Sequence, residues 1–293
     1  MEVQMSNVRS IDCDTKICAI IGNPVSHSLS PAIHNAAFTE RGLNYVYVAF
    51  PVEDVKNALV GMRAIKNFRG MSVTIPHKIE AMKHVDEIAD VDRNIGSINT
   101  IINENGRLIG LGTDGPGAQK AIADAGVDIS GMNVLMLGSG GAARAIAFTL
   151  ARNTELAELN LLDINKDMLD GLAADLRAGT EASIKHEILN DNSLAAAMES
   201  ADLILHCTPI GMHPKVDASL VPARLFRPNQ VVFDIVYTPL ETKLVREAKA
   251  SGLKIISGVD MFINQAVLQF EQFTGTDAPE EVMRRVVMEH LTK

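Results

Sequence analysis

The chain has 293 residues, of which 47% are hydrophobic, and a formal net charge of −9. It is longer than one typical domain, and its apolar content is sufficient for two buried cores. The acidic charge argues against a nucleic-acid partner and an anionic membrane surface, because both require a clustered basic face. No apolar run is long enough for a membrane span or a signal peptide, and the three cysteines form no C-x-x-C pair. We therefore expect a soluble cytoplasmic protein with reduced thiols.

Short apolar runs alternate with helical patterns in the first half of the chain. The runs predict strands at residues 16–21, 45–50, 70–75, 97–102 and 107–111. Helical spacing predicts helices at residues 52–65 and 78–85, and a further helix is expected to begin at Ser30-Pro31, with Ser30 as its N-cap. Asn105-Gly106, between the last two strands, is typical of a tight hairpin. This half is therefore predicted to be a mixed sheet with helices.

The second half begins with a turn and continues as a regular alternation of strands and helices. Asp114-Gly115-Pro116-Gly117 predicts the turn, and residues 118–125 predict a helix. A buried strand, a glycine turn and the start of a helix are predicted within residues 134–145. Further apolar strands are predicted at residues 159–162, 203–206, 231–236 and 254–256. Residues 260–274 have helical spacing, and we expect this last helix to pack back on the first half.

The glycine turn is the strongest single indication of a ligand. In its G-x-G-x-x-A pattern, Gly138 would make the tight turn, Gly140 would admit a pyrophosphate against the backbone, and Ala143 would allow close packing of helix and strand. The phosphates would then lie at the helix N-terminus. Asp163, at the end of the next strand, stands where a ribose hydroxyl would be bound. The alternative is a structural glycine-rich turn in another kind of α/β domain.

Two groups of polar residues in the first half are candidates for substrate chemistry. Lys78 follows a strand that Pro76 ends, and Asp114 lies at the junction of the two halves. If they meet across a cleft, Lys78 can exchange an alcohol proton while Asp114 polarises the ammonium or the hydroxyl. Ser28 and Ser30 precede a helix whose free amides attract anions, which suits a carboxylate. Taken singly, the lysine is more often solvated surface, the aspartate a turn residue and Ser30 an N-cap.

A metal site is not expected. The histidines in this half are not spaced as metal ligands in an H-E-x-x-H pattern, and no cysteine ligand lies nearby.

Ten segments of the chain resemble the shikimate dehydrogenase family in their order and spacing. They are Gly22-Asn23-Pro24, His27-Ser28-Leu29-Ser30-Pro31, His34-Asn35, Val73-Thr74-Ile75-Pro76-His77-Lys78, Ile98-Asn99-Thr100, Thr113-Asp114-Gly115, Gly138-Ser139-Gly140-Gly141-Ala142, Thr208-Pro209-Ile210-Gly211-Met212, Asp234-Ile235-Val236-Tyr237-Thr238-Pro239-Leu240 and Met261-Phe262-Ile263-Asn264-Gln265-Ala266. Because these segments cover nearly the whole chain, it is identified as a member of this family.

The resemblance implies an α/β fold with two domains. Residues 1–114 and 260–293 would form a mixed-sheet substrate-binding domain, to which the C-terminal helix returns, and residues 115–259 a Rossmann-type dinucleotide-binding domain. The implied reaction is the reversible oxidation of a ring hydroxyl of shikimate, a small cyclic hydroxy acid. The hydride passes to a nicotinamide, and the hydroxyl proton passes to Lys78.

The resemblance also implies roles for individual residues. Lys78 and Asp114 match the catalytic pair. The residues that match substrate contacts are Ser28 and Ser30 at the carboxylate, Thr74 and Asn99 at the ring hydroxyls, Tyr237 near the carboxylate end, and Gln265. The residues that match cofactor contacts are Gly138, Ser139, Gly140, Gly141, Ala142, Asp163, Asn165, Thr208, Met212 and Val236.

Three departures from the family pattern bear on specificity. Asp163-Ile164-Asn165 stands where NADP-dependent members carry Asn-Arg-Thr, so we predict NAD as the cofactor, with NADP possible and Lys166 as the feature that could weaken the preference. Gly112 removes a polar group near the catalytic pair, and Asp260 adds a charge where the family has glycine. Quinate and an aminated analogue therefore stay open as substrates.

Rival interpretations come from other classes. One is a sensing module that binds a cofactor and a small acid without turnover, and another is a different two-domain dehydrogenase that acts on a folate or an amino acid. A monomer and a homodimer are both open.

Overall fold

A computed structural model of the chain describes residues 11–292. Within these residues the strands are β1 (Lys16–Gly22), β2 (Tyr45–Pro51), β3 (Phe68–Val73), β4 (Glu87–Ile88), β5 (Thr100–Glu104), β6 (Arg107–Leu111), β7 (Asn133–Leu137), β8 (Glu158–Asp163), β9 (Ile184–Ile188), β10 (Leu203–His206), β11 (Val231–Asp234) and β12 (Lys254–Ser257). The helices are α1 (Ser30–Glu40), α2 (Val55–Ala64), α3 (Asp90–Arg93), α4 (Asp114–Asp124), α5 (Gly141–Asn153), α6 (Lys166–Gly179), α7 (Asp191–Met198), α8 (Lys243–Ala250), α9 (Gly258–Thr274) and α10 (Glu280–Leu291).

The first sheet is mixed, as the sequence predicted. In the described chain it has six strands in the order β2-β1-β3-β5-β6-β4. Strands β1, β2 and β3 are parallel, β5 is antiparallel to both β3 and β6, and β4 is parallel to β6. The predicted hairpin joins β5 to β6 through Asn105 and Gly106, which both have positive φ angles of 55° and 91°. Positive φ at both positions is what a two-residue hairpin turn requires.

The second sheet is parallel throughout, in the order β12-β11-β10-β7-β8-β9. This is the strand order of a Rossmann fold, and it reverses between β7 and β10. Ligands of such sheets bind outside the carboxyl ends of the strands at that reversal. The glycine turn follows β7, so it lies at this crevice.

Helix α9 leaves the second sheet and returns to the first. It begins directly after β12, and its residues Ile263, Phe270 and Phe273 are fully buried in a cluster with Ile20 and Tyr47 of the first sheet. The expected return of the C-terminal helix is therefore confirmed, and with it the predicted two-part α/β fold.

Several predicted local features were wrong, and most for one reason. Leu29 rather than Ser30 is the N-cap of α1, and no side chain caps this helix. Residues 78–85 form only a short 3-10 helix at Glu80–His84. Asp114 lies in the first turn of α4 and not in a turn before it. Each of these features is short or lies at the end of a helix, where local preference specifies the backbone least.

The described part of the chain contains no helix that is both long and apolar enough to cross a membrane.

Candidate active site

Lys78 and Asp114 lie together in the structure. Lys78 follows the end of β3, Asp114 is the first residue of α4, and the Lys78 Nζ donates a hydrogen bond to Oδ2 of Asp114. Only 13% of the lysine side chain and 8% of the aspartate side chain are exposed. An ion pair shielded from water in this way is stronger and more rigid than one at the surface. The solvated-surface interpretation of Lys78 is therefore wrong.

Asn99 holds the aspartate from the other side. Its Nδ2 donates to Oδ1 of Asp114 and to Oγ1 of Thr113, both at 2.9 Å. The backbone N–H of Thr113 donates to Oδ1 of Asn99 at 2.7 Å. Since a backbone N–H can only donate, this bond fixes which end of the Asn99 amide faces Asp114. Thr113 was not predicted as a site residue, although its place directly before Asp114 was a usable signal.

Two glycines explain how α4 brings Asp114 and Gln265 together. A Cβ on Gly115 would lie 2.7 Å from the carbonyl oxygen of Ala145 in α5, and a Cβ on Gly117 would lie 2.8 Å from the Cβ of Gln265 in α9. These glycines therefore permit close helix crossings and do not form the predicted turn. As a result, Oε1 of Gln265 lies 3.4 Å from both Nδ2 of Asn99 and Oγ1 of Thr113.

Thr74 lies at the end of β3, close to the loop that carries the two serines. Its methyl group contacts Gly22, and its N–H donates to the carbonyl oxygen of Ile21 at 2.9 Å. Ser30 is buried, while Ser28 is half-buried and its Oγ accepts a hydrogen bond from the N–H of Ser30 at 3.2 Å. The serine loop and Thr74 therefore share one end of the first sheet.

Tyr237 packs on Phe262 of α9 with ring centroids 4.2 Å apart and a 17° angle between the ring planes. Burial raises the pKa of Tyr237 to about 12. Its hydroxyl thus stays protonated at neutral pH and can donate to an anion. Among residues 11–292, the hydroxyls of Ser28, Ser30 and Tyr237 make no hydrogen bond to Lys78 or Asp114.

The glycine turn lies against Lys78. Gly138 has a φ of 111°, and a Cβ there would lie 2.8 Å from the carbonyl oxygen of Cys207, so only glycine fits. A Cβ on Gly141, the first residue of α5, would lie 3.0 Å from the Cβ of Lys78 and 2.9 Å from Oγ of Ser97. The N-terminus of α5, where the sequence predicts a phosphate site, therefore lies directly beside Lys78.

Asp163 faces the glycine turn at the end of β8. Its Oδ2 accepts from both the N–H and the hydroxyl of Ser139, at 2.6 and 2.7 Å, and its Oδ1 accepts from the N–H of Asn165 at 2.8 Å. The Asn165 side chain caps α6 by accepting from the N–H of Met168. Ile164 is 79% exposed. Lys166 forms an exposed ion pair with Asp170, which raises the pKa of the lysine.

A buried polar cluster lies below the loops that carry Thr208 and Val236. Asp234 is fully buried, and its Oδ1 accepts from Nδ1 of His206 at 2.9 Å and from the N–H of Val236 at 3.0 Å. Nε2 of His206 lies 2.6 Å from the hydroxyl of Thr208. His206 was not predicted as a functional residue. The sequence feature that could have indicated it is a histidine and an aspartate at the ends of two apolar runs. His206 and Asp234 lie opposite each other on the paired strands β10 and β11. Met212 follows in the same loop, where its N–H donates to Pro209.

Asp260 does not bring a free charge to the cleft. Its Oδ1 accepts from Nη1 of Arg284 on α10 at 2.5 Å, and Arg284 also lies 3.3 Å from Glu280. This pair links the start of α9 to α10. In the described residues no group of three or more histidine, cysteine, aspartate or glutamate side chains could hold a metal ion.

Comparisons with known proteins agree with this arrangement. The family model described as "Shikimate dehydrogenase substrate binding domain" matches residues 20–101, and "Shikimate 5'-dehydrogenase C-terminal domain" matches residues 258–288. A protein of Moorella thermoacetica named "Shikimate dehydrogenase (NADP(+))" is 42% identical, and the alignment covers 95% of each chain.

Two solved structures share the whole fold. A crystal structure of a shikimate dehydrogenase in complex with NADP+ has a TM-score of 0.88 and 39% identity, with coverage of 97% of this chain and 98% of that one. Shikimate 5-dehydrogenase from Listeria monocytogenes in complex with shikimate and NAD has a TM-score of 0.87 and 31% identity, with coverage of 95% and 98%. The chain therefore belongs to the shikimate dehydrogenase family.

Proposed function

We propose that the chain catalyses the reversible oxidation of a ring hydroxyl of shikimate with a nicotinamide cofactor. The observation that carries this proposal is the shielded Lys78–Asp114 pair, directly beside the glycine turn at Gly141. The proposed proton acceptor, Lys78, therefore lies next to the expected cofactor site, between the two sheets. The family members reported above are named for the same reaction. A sensing module would not need an intact Lys78–Asp114 pair, so the enzyme is the better interpretation.

In the proposed mechanism Lys78 moves the proton. It accepts the hydroxyl proton during oxidation and returns it during reduction, while Asp114 stabilises the ammonium form. A nicotinamide bound beside Lys78 would supply the acceptor for the hydride that leaves the ring carbon. Asn99 keeps Asp114 oriented toward Lys78 through its 2.9 Å hydrogen bond. Because this pair is shielded from water, the proton transfer would take place in a site of low water content, with the reacting groups held in a fixed geometry.

The remaining polar side chains would bind the substrate. Ser28, Ser30 and the protonated hydroxyl of Tyr237 offer donors for the carboxylate, and Thr74, Asn99 and Gln265 offer partners for the ring hydroxyls. Support for this assignment comes from the shared position of Thr74 and the serine loop at the end of the first sheet, and from the contact of Gln265 with Asn99.

We also propose the domain division expected from the sequence, with residues 1–114 and 260–293 binding the substrate and residues 115–259 binding the cofactor. Its support is that α4 begins at Asp114 and that α9 begins at Gly258, so each junction lies at the start of a helix.

We propose NAD as the preferred cofactor, although the relative from Moorella thermoacetica is named for NADP(+). The Asp163 carboxylate at the end of β8 would repel a ribose phosphate and accept from ribose hydroxyls. The exposed Ile164 offers an apolar surface to an adenine ring and no charge to a phosphate. Lys166 pairs with Asp170, and we expect this exposed ion pair to reduce, not to abolish, the attraction of Lys166 for a phosphate.

The test of both proposals is a four-way comparison of initial rates, with shikimate and quinate each measured against NAD and NADP. We expect turnover of shikimate with a higher kcat/KM for NAD. Absence of turnover with either acid would contradict the proposed reaction, and a higher kcat/KM for NADP would contradict only the cofactor assignment. Faster turnover of quinate would change the substrate while keeping the reaction class.

Replacing Asp163 with asparagine and Ile164 with arginine together should shift the preference toward NADP. The change removes the repelling carboxylate and adds a guanidinium that can bind a phosphate through two hydrogen bonds. We expect the ratio of kcat/KM for NADP to that for NAD to rise by about 10²-fold, as two charge-assisted bonds allow. Met168→Arg adds one guanidinium on the first turn of α6 while Asp163 stays in place, and it serves as the control for the added positive charge. An equal shift in that control would mean that general charge, and not these two positions, selects the cofactor.

A further inference from the structure

A chain of buried hydrogen bonds runs from β2 to the catalytic aspartate. The hydroxyl of Tyr47 donates to Oγ of Ser72 at 2.6 Å, and the hydroxyl of Ser72 donates to Oε1 of Gln269 at 2.8 Å. Nε2 of Gln269 then donates to the carbonyl oxygen of Asn99 at 3.2 Å and to Oγ1 of Thr100 at 3.0 Å. Because a carbonyl oxygen can only accept, the bond to Asn99 fixes the orientation of the Gln269 amide.

The chain continues in the same direction as far as Asp114. The hydroxyl of Thr100 donates to Oδ1 of Asn99 at 3.1 Å, and Nδ2 of Asn99 donates to Oδ1 of Asp114 at 2.9 Å. Every donor therefore points toward the carboxylate that binds Lys78. Hydrogen bonds aligned in this way polarise one another, and the effect is larger where water is excluded.

Burial is nearly complete along the chain. Gln269 is 2% exposed, and Tyr47, Ser72, Thr100 and Asn99 are at most 3% exposed. Burial also raises the pKa of Tyr47, so that its hydroxyl remains a donor. Buried amides and hydroxyls without partners are costly, and this set is satisfied by its own members. Loss of one member would therefore leave its neighbours free to reorient.

We propose that Gln269 is a positioning residue for the reaction, acting through Asn99. Gln269 donates to the backbone oxygen of Asn99 and to Thr100, whose hydroxyl donates to Oδ1 of Asn99. It thereby supports, together with the N–H of Thr113, the orientation of the Asn99 amide that presents Nδ2 to Asp114. This assignment rests on the proposed function, in which Asp114 supports proton transfer by Lys78. Gln269 itself needs no contact with substrate or cofactor for this role.

The kinetic test is the Gln269→Leu variant, which keeps the volume of the side chain and removes its donors and acceptor. We expect kcat for shikimate oxidation to fall about 10-fold, the size of one or two buried hydrogen bonds, while the KM for the cofactor stays within twofold. Gln230→Leu is the matched control, because Gln230 is also 2% exposed and donates to two backbone carbonyls, those of Met198 and Ala201, beside the second sheet. An equal fall in kcat in both variants would overturn the proposal.

A double-mutant cycle separates positioning from general destabilisation. If Gln269 acts through the Asn99 side chain, Gln269→Leu should lower kcat less than twofold in an Asn99→Ala background. Fully additive losses would overturn the proposal. Should Gln269→Leu fail to fold, Ser72→Ala removes the hydroxyl that orients Oε1 of Gln269, and it should lower kcat by about 2- to 5-fold. An unchanged kcat in that variant would then count against the role.

Amide hydrogen exchange gives a readout that does not depend on turnover. The N–H of Thr113 is protected by Oδ1 of Asn99, whereas the N–H of Val73 donates to the backbone oxygen of Asn99 at 2.7 Å. In Gln269→Leu we expect Thr113 to exchange at least 10-fold faster while Val73 keeps its protection. Unchanged exchange at Thr113 would overturn the proposal. If the wild-type chain did not oxidise shikimate, the proposed function would fail, and this measurement would still decide whether Gln269 positions Asn99.

Discussion

Replacing Lys78 with methionine is expected to lower kcat for shikimate oxidation by about 10²-fold or more, with little change in cofactor affinity. Methionine keeps an unbranched stem against Gly141, so the contact between the lysine and the glycine turn is preserved. What is lost is the amine that accepts the proton and balances the buried Asp114. Initial rates with saturating shikimate, and cofactor titration by fluorescence or calorimetry, would measure the two effects separately.

Lys83→Met is the matched control for this experiment. Lys83 lies in the short helix that follows Lys78, its side chain is 65% exposed, and it forms an ion pair with Glu80 on the same surface. An ion pair so exposed contributes little, so kcat and stability should be close to those of the unaltered chain. A Lys78→Met variant that kept more than half of the normal kcat would remove Lys78 from the proposed role.

Asp234→Ala is expected to lower the free energy of unfolding by about 3 kcal/mol, because it leaves three buried donors without an acceptor. These donors are Nδ1 of His206, the hydroxyl of Thr242 and the N–H of Val236. The loops that follow β10 and β11 should loosen as well, and we expect the KM for the cofactor to rise. Urea denaturation followed by circular dichroism would report the change as a lower midpoint.

Asp217→Ala provides the comparison at the surface. The Asp217 side chain is 92% exposed and lies 3.7 Å from Arg246, so its removal should change the unfolding free energy by less than about 0.5 kcal/mol. Equal shifts for the two aspartates would show that the buried cluster around Asp234 adds no special stability.

The glycine turn and the hairpin show why local structure was predictable. Gly138 and the Asn105-Gly106 pair have positive φ angles that few other residues adopt cheaply, so the residue types themselves indicate the backbone. The apolar runs that form the parallel strands were also predictable, because a strand that is buried on both faces must be apolar throughout. Boundaries were less certain, as the misplaced helix at residues 78–85 shows.

The site was predicted in part. Lys78 and Asp114 were named from their sequence context and Asn99 and Gln265 from the family resemblance, and the structure brings all four into one hydrogen-bonded group. By contrast, Thr113, His206 and Gln269 were missed, because a single polar residue in an apolar stretch gives no local sign of the partner that it will meet.

By itself, then, the sequence determined the alternation of strands and helices, the glycine turn, the hairpin and the family. These follow from side-chain periodicity and from backbone preferences, which act between near neighbours. Only the tertiary structure decided that Gly115 and Gly117 lie where helices cross closely. It alone also decided that Asp260 pairs with Arg284, and that buried hydrogen bonds link Tyr47 to Asp114. Contacts of this kind join residues that are far apart in the chain. Their energies depend on burial, and burial arises only when several segments pack together, so it cannot be read from any one segment.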